Sequence, residues 1–539
     1  MNSEPQVFQM LRILISKSLI LIVLFFGALT TNWLAASEVR ESAELTVQRE
    51  RMKNRGRRII YNNDGGDAFV AAANTPAGLL AVRMKPTLDT QVDSVFYCTG
   101  AATMFTHQAN VGETYGKYGG PAGLMRNIPA LAKLKTDNLA LVVQFCHEND
   151  LEVVFTHRIN DIHDCFIDWE LSTWKREHPE YLMGKPEDWQ NYPETDPRRR
   201  WAALDFEISE VRDYLIAIID DVLARYDLDG IEIDYLRNPL FFRPNRSLQP
   251  ATADQVKILT GFQRRIRGLA YRHGNRRGRP ILVATRVPAT VRMGLYAGID
   301  VQQWLQEDLL DLLTTAVGCM PYTNPTRELV ELGHAHDVPV YPTIAGSGRS
   351  EHQSVDHWRG AAANFWHAGA DGMVFFNLFP TEPGHPMFTQ LGDPEKLARM
   401  DKIFALDNEE IFDGGINHTI LKPPIPVTLS SSEPNCRLTF PVGDDVAGAA
   451  KQGRLELASL RIRFADFAGN ADDTVEVRLN GDVLESAEED PESGWVTYTT
   501  DPSQYHHGDN VLGVSVRETA RPIKDAVVVG SVELHVKYK

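Results

Sequence analysis

The sequence predicts a (β/α)8 barrel followed by a smaller antiparallel β-sandwich, and three observations carry the prediction. Apolar, β-branched runs recur through the first four hundred residues. Helically periodic segments or long polar loops separate most of them. Past residue 421 the texture changes to short alternating runs joined by tight turns. Eight runs fall in the first part, at 58–64, 94–100, 151–161, 230–235, 281–288, 312–322, 338–345 and 372–379. Strands that alternate with helices form a parallel sheet, and eight of them close a barrel.

The elements follow in order. Arg12 and Lys17 flank the start of an apolar run at 18–30, and Ala35, Ala36 and Ser37 supply the small residues of a cleavage site. Residues 1–37 therefore read as an export signal that is removed, since the run is shorter than the ~20 residues of a membrane span. The destination is the periplasm or the exterior, with no stable membrane span after cleavage. Residues 38–56 form a charged lead-in, 57–420 the barrel and 421–539 the sandwich. Helical periodicity marks 128–149, 208–226 and, more weakly, 354–367. The second of these places Val211, Leu215, Ile218, Ile219, Val222 and Leu223 on one face. In the sandwich, strands are expected at 455–464, 474–479, 482–484, 495–499, 510–517 and 527–538, with Asn480-Gly481 as a hairpin turn.

Composition narrows the function. A formal charge of −17 without any basic tract argues against nucleic acid or anionic membrane as the main partner. Five scattered cysteines (Cys98, Cys146, Cys165, Cys319 and Cys436) make neither a disulfide framework nor a zinc motif. No phosphate-cradling glycine loop, serine-nucleophile elbow or Cys/His pair is present in the sequence. No cofactor or metal is implied, and nothing in the sequence sets the oligomeric state.

The chemistry concentrates in Asp229-Gly230-Ile231-Glu232-Ile233-Asp234, followed by Arg237. Strand alternation puts Glu232 and Asp234 on one face and Ile231 and Ile233 on the other. Two carboxylates together are costly to bury unless paired or hydrated, so this strand end is expected at the mouth of a cleft. A structural ion pair is the competing reading. The excursion at 162–204, after the third strand, carries Trp169, Trp174, Tyr181, Trp189, Tyr192 and Trp201, and long loops within a compact domain are usually functional. Exposed rings of this kind suit the apolar faces of sugars.

With these motifs in place, the region from Arg57 to Phe388 resembles the bacterial glycosyl-hydrolase-like barrels. The resemblance rests on the run from Arg58 to Asp64, on Arg158-Ile159-Asn160-Asp161, on Ala203-Leu204-Asp205-Phe206 and on the Glu232/Asp234 strand. The C-terminal part is similar to galactose-binding-type, jelly-roll sandwiches through 475–481 and 508–514. The resemblance implies a carbohydrate-active barrel with acids from the fourth strand; with the N-terminal export signal, the expected protein is an exported hydrolase of the O-glycosyl bonds of a polysaccharide or oligosaccharide. The alternative is a carbohydrate-binding protein on a barrel that lacks a catalytic group.

Glycosidic hydrolysis takes one carboxylic acid and one carboxylate. Asp234 is expected to be the ionised partner, being nearer the open end of its strand and within reach of Arg237. The acid is sought among Glu232, Asp161 and Glu382, with Asp164 and Glu351 behind them. Where the α-amylase clan places an acid after the fifth strand, this chain has Thr285-Arg286-Val287-Pro288. Arg158, Arg237 and Arg286 are thus expected to converge, either on an anionic group of the glycan or on the acids themselves. Asn160, Tyr322, Asn377, Asp64 and Trp169 complete the expected substrate contacts. His157 falls on the strand face opposite Arg158 and reads as a packing residue.

Overall fold

The computed structural model describes residues 40–318, 320–346, 354–408, 420–465, 474–490, 492–517 and 526–539. Residues 1–37, read from the sequence as an export signal, and Cys319 and Glu351 lie outside these residues. No helix among them is long and apolar enough to cross a membrane.

Eight parallel strands close a barrel in chain order: β1 (Ile59–Asn63), β2 (Val92–Cys98), β3 (Glu152–Arg158), β4 (Gly230–Asp234), β5 (Leu282–Pro288), β6 (Leu312–Ala316), β7 (Val340–Ala345) and β8 (Met373–Phe376). Nearly every strand residue is buried, as expected for strands covered by helices outside and side chains inside. The interior is packed by Ile60, Phe96, Val154, Leu312, Tyr341 and Val374, with Leu282 and Ala284 both from β5, while β4 contributes Gly230 beside Val154 and Leu282. The charged lead-in is helix Ala43–Lys53, whose Arg49 bonds Asp311 at 2.7 Å near the lower end of the barrel.

The helix expected at 128–149 is two helices, Ala122–Lys133 and Asn138–Glu148. The break has a local cause. Lys135 takes a positive φ of 58°, and Asp137 caps the second helix by accepting a bond from the Ala140 N–H. Helix Ser209–Arg225 buries the six expected apolar residues. β6 ends at Ala316, short of the expected 322, so Tyr322 lies on a loop.

The C-terminal part is an antiparallel sheet of nine strands: β9 (Lys402–Ala405), β10 (Val427–Leu429), β11 (Asn435–Val442), β12 (Leu455–Ala465), β13 (Val475–Leu479), β14 (Asp482–Asp490), β15 (Trp495–Thr499), β16 (Gly508–Val516) and β17 (Val527–Tyr538). Asn480 and Gly481 both have positive φ, 52° and 101°, which lets the hairpin between β13 and β14 turn in two residues. β14 pairs with β13 through its first residues and with β15 through its last, linking the two faces. β9 precedes residue 421 in the chain yet pairs with β17. Helix Val355–His367 of the barrel packs against β9 and β11.

Candidate active site

β4 alternates as its sequence requires. Ile231 and Ile233 join the outer core, while Glu232 and Asp234 point toward the barrel axis. The pair does not open to solvent at the strand end, however: Glu232 is wholly buried and Asp234 is 1% exposed. Register explains the depth. Glu232 lies level with Thr156 of β3 and shares 2.8 Å hydrogen bonds with the hydroxyls of Thr156 and of Thr314 on β6. Burial and the Asp234 charge push the Glu232 carboxyl up to about 7, although Arg286 and the two hydroxyls pull it the other way.

One layer higher, register sets Arg158, Asp234 and Arg286 side by side on β3, β4 and β5. Asp234 Oδ1 accepts from the backbone N–H groups of Leu236 (3.0 Å) and Arg237 (2.8 Å), and Oδ2 accepts from Arg286 Nη1 at 3.1 Å. Arg286, not the Arg237 side chain, therefore partners the Asp234 carboxylate. The Arg286 guanidinium lies 3.8 Å from the centre of the Phe376 ring, a cation–π contact on the end of β8.

The Arg237 side chain turns instead to the loop after β3. Its Nη2 donates to His163 Nε2 at 3.1 Å. An arginine can only donate, so Nε2 accepts, Nδ1 carries the proton, and Nδ1–H donates to Asp161 Oδ1. Asp161 Oδ1 also accepts the His163 N–H at 3.0 Å, while Oδ2 is buried without a hydrogen bond, 3.7 Å from Arg158 and 3.8 Å from Arg237. Burial alone would push this carboxyl up. His163, Arg237 and Arg158 outweigh it and hold Asp161 well below the usual carboxylate range.

Asp64 faces the same mouth from the turn after β1. A Cβ on Gly65 would collide with the Cys98 carbonyl oxygen, so only glycine allows this turn. Asp64 accepts from the Gly66 N–H at 2.8 Å and from Arg83, and Arg158 and Arg83 hold its carboxyl below its ordinary value against burial. Arg83 in turn sits 3.6 Å above the Phe379 ring.

One acid of the mouth was not anticipated. Glu170 lies in the short helical turn Asp168–Glu170 of the aromatic excursion, half-buried. Burial, and then the charges of Asp161 and Asp164, push it up to about 8. Its chain neighbour Trp169, expected to meet substrate, packs its ring 5.6 Å from Tyr115 and 6.5 Å from Phe69. Arg83 and Phe376 were likewise unmarked. Strand parity signalled only Phe376, two residues beyond the inward-facing Val374.

The remaining expected residues separate from this cluster. Asn160 is a structural clamp: its side chain donates to the carbonyls of Leu204 (3.2 Å) and Leu240 and accepts the Leu204 N–H at 2.8 Å. Asp164 closes a buried pair with Lys175 at 2.6 Å. Asn377 stands at the top of β8 with a positive φ of 54° and a buried Oδ1 that accepts no hydrogen bond. Tyr322 lines a cavity of about 670 Å3 between barrel and sandwich, away from the mouth. Glu382 is exposed on the loop after β8 and enters none of the mouth's ion pairs among the described residues. His157 packs outside the barrel, bonded at 2.9 Å to the Ala102 carbonyl.

Residues 123–243 match the family described as Glycosyl hydrolase-like 10. The glycosyl hydrolase-like match spans β3, the excursion, the helix and β4, and so contains Asp161, Glu170, Glu232 and Asp234. It bears out the resemblance read from the sequence. Among solved structures, the glycoside hydrolase domain of PgaB (BpsB) from Bordetella bronchiseptica is 13% identical, covering 63% of this chain and 99% of that one, with a TM-score of 0.39. An alpha-galactosidase from Lactobacillus brevis is 13% identical over 87% of this chain and 56% of its own, with a TM-score of 0.35. An Anoxybacillus alpha-amylase is 10% identical over 86% and 98%, with a TM-score of 0.34. No curated protein matches the chain.

Proposed function

We propose that the barrel mouth hydrolyses O-glycosyl bonds of a polysaccharide or oligosaccharide outside the cytoplasm, with Glu170 as the acid and Asp161 as the ionised partner. The observation that carries this reading is the opposed surroundings of two carboxyls on one loop: Asp161 is buried against His163, Arg158 and Arg237, which hold it below its ordinary value, whereas Glu170 is half-buried and enters no ion pair among the described residues, and burial with the nearby acid charges pushes it up to about 8. Environments that drive paired acids apart assign their roles, one donating a proton to the leaving oxygen and the other remaining an anion. Asp161 also keeps an oxygen that accepts no hydrogen bond, as a nucleophile or water-activating base needs. Asp234 has both oxygens engaged, which suits a group that orients Arg286.

A second assignment makes Asp234 the attacking carboxylate. Its place at the tip of β4 favours this, as does Arg286, which would stabilise it once a substrate displaced the present contacts. The two assignments separate by chemical rescue. Purified protein is screened against a glycan panel, and Asp161→Asn and Asp234→Asn are each assayed with and without azide on the best substrate. Azide restoring turnover to Asp161→Asn alone supports the first assignment, and restoring it to Asp234→Asn alone supports the second. Binding without cleavage across the panel favours a non-catalytic carbohydrate-binding protein. The apolar run at 18–30 supports export, which cell fractionation of the tagged full chain tests directly.

A further inference from the structure

The mouth holds more fixed positive charge than its acids absorb. Four guanidinium groups, on Arg83, Arg158, Arg237 and Arg286, face the three carboxylates of Asp64, Asp161 and Asp234. Glu170 and the deeper Glu232 are both pushed up toward or past neutrality.

The surplus localises on Arg158. Arg83 bonds Asp64, Arg237 bonds His163, and Arg286 bonds Asp234. Arg158, only 8% exposed, has no hydrogen bond among the described residues, and its nearest carboxylate oxygen is the 3.7 Å approach to Asp161. Its guanidinium carbon lies 5.8 Å from the centre of the Phe376 ring, the same ring that carries Arg286. A guanidinium held this deep without an acceptor is costly unless a ligand completes it.

We propose that Arg158 recognises a carboxylate on the saccharide, a uronate or an acidic substituent, through a forked pair of hydrogen bonds in the subsite beside Asp161. A planar carboxylate matches the planar fork, whereas a sulfate presents a tetrahedron. Asp64, Asp161 and Asp234 surround Arg158 and would repel an anion placed elsewhere in the mouth, so the fork fixes the sugar's register as well as its charge. The inference rests on the mouth being the saccharide site but not on turnover there.

The experiment uses the full chain carrying Glu170→Gln, so that nothing is cleaved, titrated calorimetrically with glucuronate, glucuronate methyl ester and glucose 6-sulfate. Glucuronate should bind about tenfold or more tightly than its methyl ester, with the sulfate between them, and Arg158→Gln should erase the preference for the acid. Arg158→Lys, which keeps the charge but loses the fork, should keep only part of it. Unfolding midpoints of both variants check that the barrel is intact. Equal binding of acid and ester, preference for the sulfate over the carboxylate, or an acid preference that survives Arg158→Gln each overturn the proposal. Acid preference here, together with no cleavage by the unsubstituted protein anywhere in the glycan panel, leaves this inference standing and removes the hydrolase reading. Cleavage by the unsubstituted protein with no acid preference in the titration does the reverse.

Discussion

The two ends of the barrel use the same ingredients to opposite effect. At the lower end Arg57 is fully buried and every guanidinium nitrogen has an acceptor. Nε and Nη2 fork onto Glu152 at 2.7 Å, Nη1 donates to the carbonyls of Lys53 and Arg55, and Nη2 also reaches Met52. Ser94 adds a 2.5 Å bond to the same carboxylate. At the mouth Arg158, Arg237 and Arg286 are also largely buried, yet the Nε of each lacks an acceptor and Asp161 has an idle oxygen. A closed network fixes a fold, whereas an open one of the same charges stores unmet hydrogen-bonding capacity that a ligand can satisfy.

The largest effect should come from disturbing the open end. Glu170→Gln removes the proposed acid and should lower the rate by roughly 10²- to 10⁴-fold on glycans with poor leaving groups. The pH profile makes the test specific. The reactive form has Glu170 protonated and Asp161 ionised, so kcat/KM should fall as pH rises through about 8. Its acid limb should lie below the ordinary carboxylate range. A Glu170→Gln variant that keeps both its rate and its basic limb would remove Glu170 from the proposed mechanism.

Disturbing the closed end should cost stability instead. Arg57→Ala strands Glu152 in the core and should destabilise by about 3–5 kcal/mol, read as a shift in the denaturation midpoint. Arg158→Ala has no hydrogen bond to lose but does remove an attraction that helps keep Asp161 and Asp64 ionised, and should cost roughly half as much. Equal losses at the two ends would mean that the mouth network is structural as well.

Much of this contrast was legible in the sequence, and what was not has physical causes. β-Branched runs and their spacing marked all eight barrel strands, because a strand covered on both faces has few alternatives to an apolar sequence. Alternation placed Glu232 and Asp234 on one face correctly. Their depth was invisible, because it is set by the stagger of β3 and β6, which bring Thr156 and Thr314 against Glu232. The partner of Asp234 was likewise chosen by register: Arg286 lies opposite on β5, while Arg237, closer in sequence, turns away. Glu170 carried no local signal. The aromatic texture drew attention to Trp169, whose ring packs the loop down onto Tyr115.

Glu232 tests whether a mouth acid one layer down belongs to the closed or the open kind. Its folded pKa of about 7 lies above the ordinary carboxylate value of 4.5. Unfolding therefore releases a proton between those values, and stability should fall as pH rises from about 4.5 to 7, by on the order of 3 kcal/mol. Glu232→Gln keeps the two threonine hydroxyl contacts without a titrating group. Its stability should be flat across that window apart from what the wild type shares elsewhere, as urea midpoints at several pH values would reveal. Parallel curves for the two proteins would mean that Glu232 is ionised in the folded barrel.

The smallest expected effect concerns how each end supports its arginine. Arg57 has carbonyls and a carboxylate on all sides, whereas Arg286 has one hydrogen bond and the face of Phe376. Phe376→Leu keeps the apolar bulk at the end of β8 but removes the ring's negative face. The loss should be about 1 kcal/mol in stability, and a similar amount in the binding of any saccharide that touches the Arg286–Asp234 pair. In a double-mutant cycle with Arg286→Met, a coupling energy near zero would show that the ring merely fills space. A coupling near 1 kcal/mol would show that an aromatic face takes, at the open end, the part that backbone carbonyls take at the closed one. It would leave Arg286 enough freedom to exchange Asp234 for a substrate.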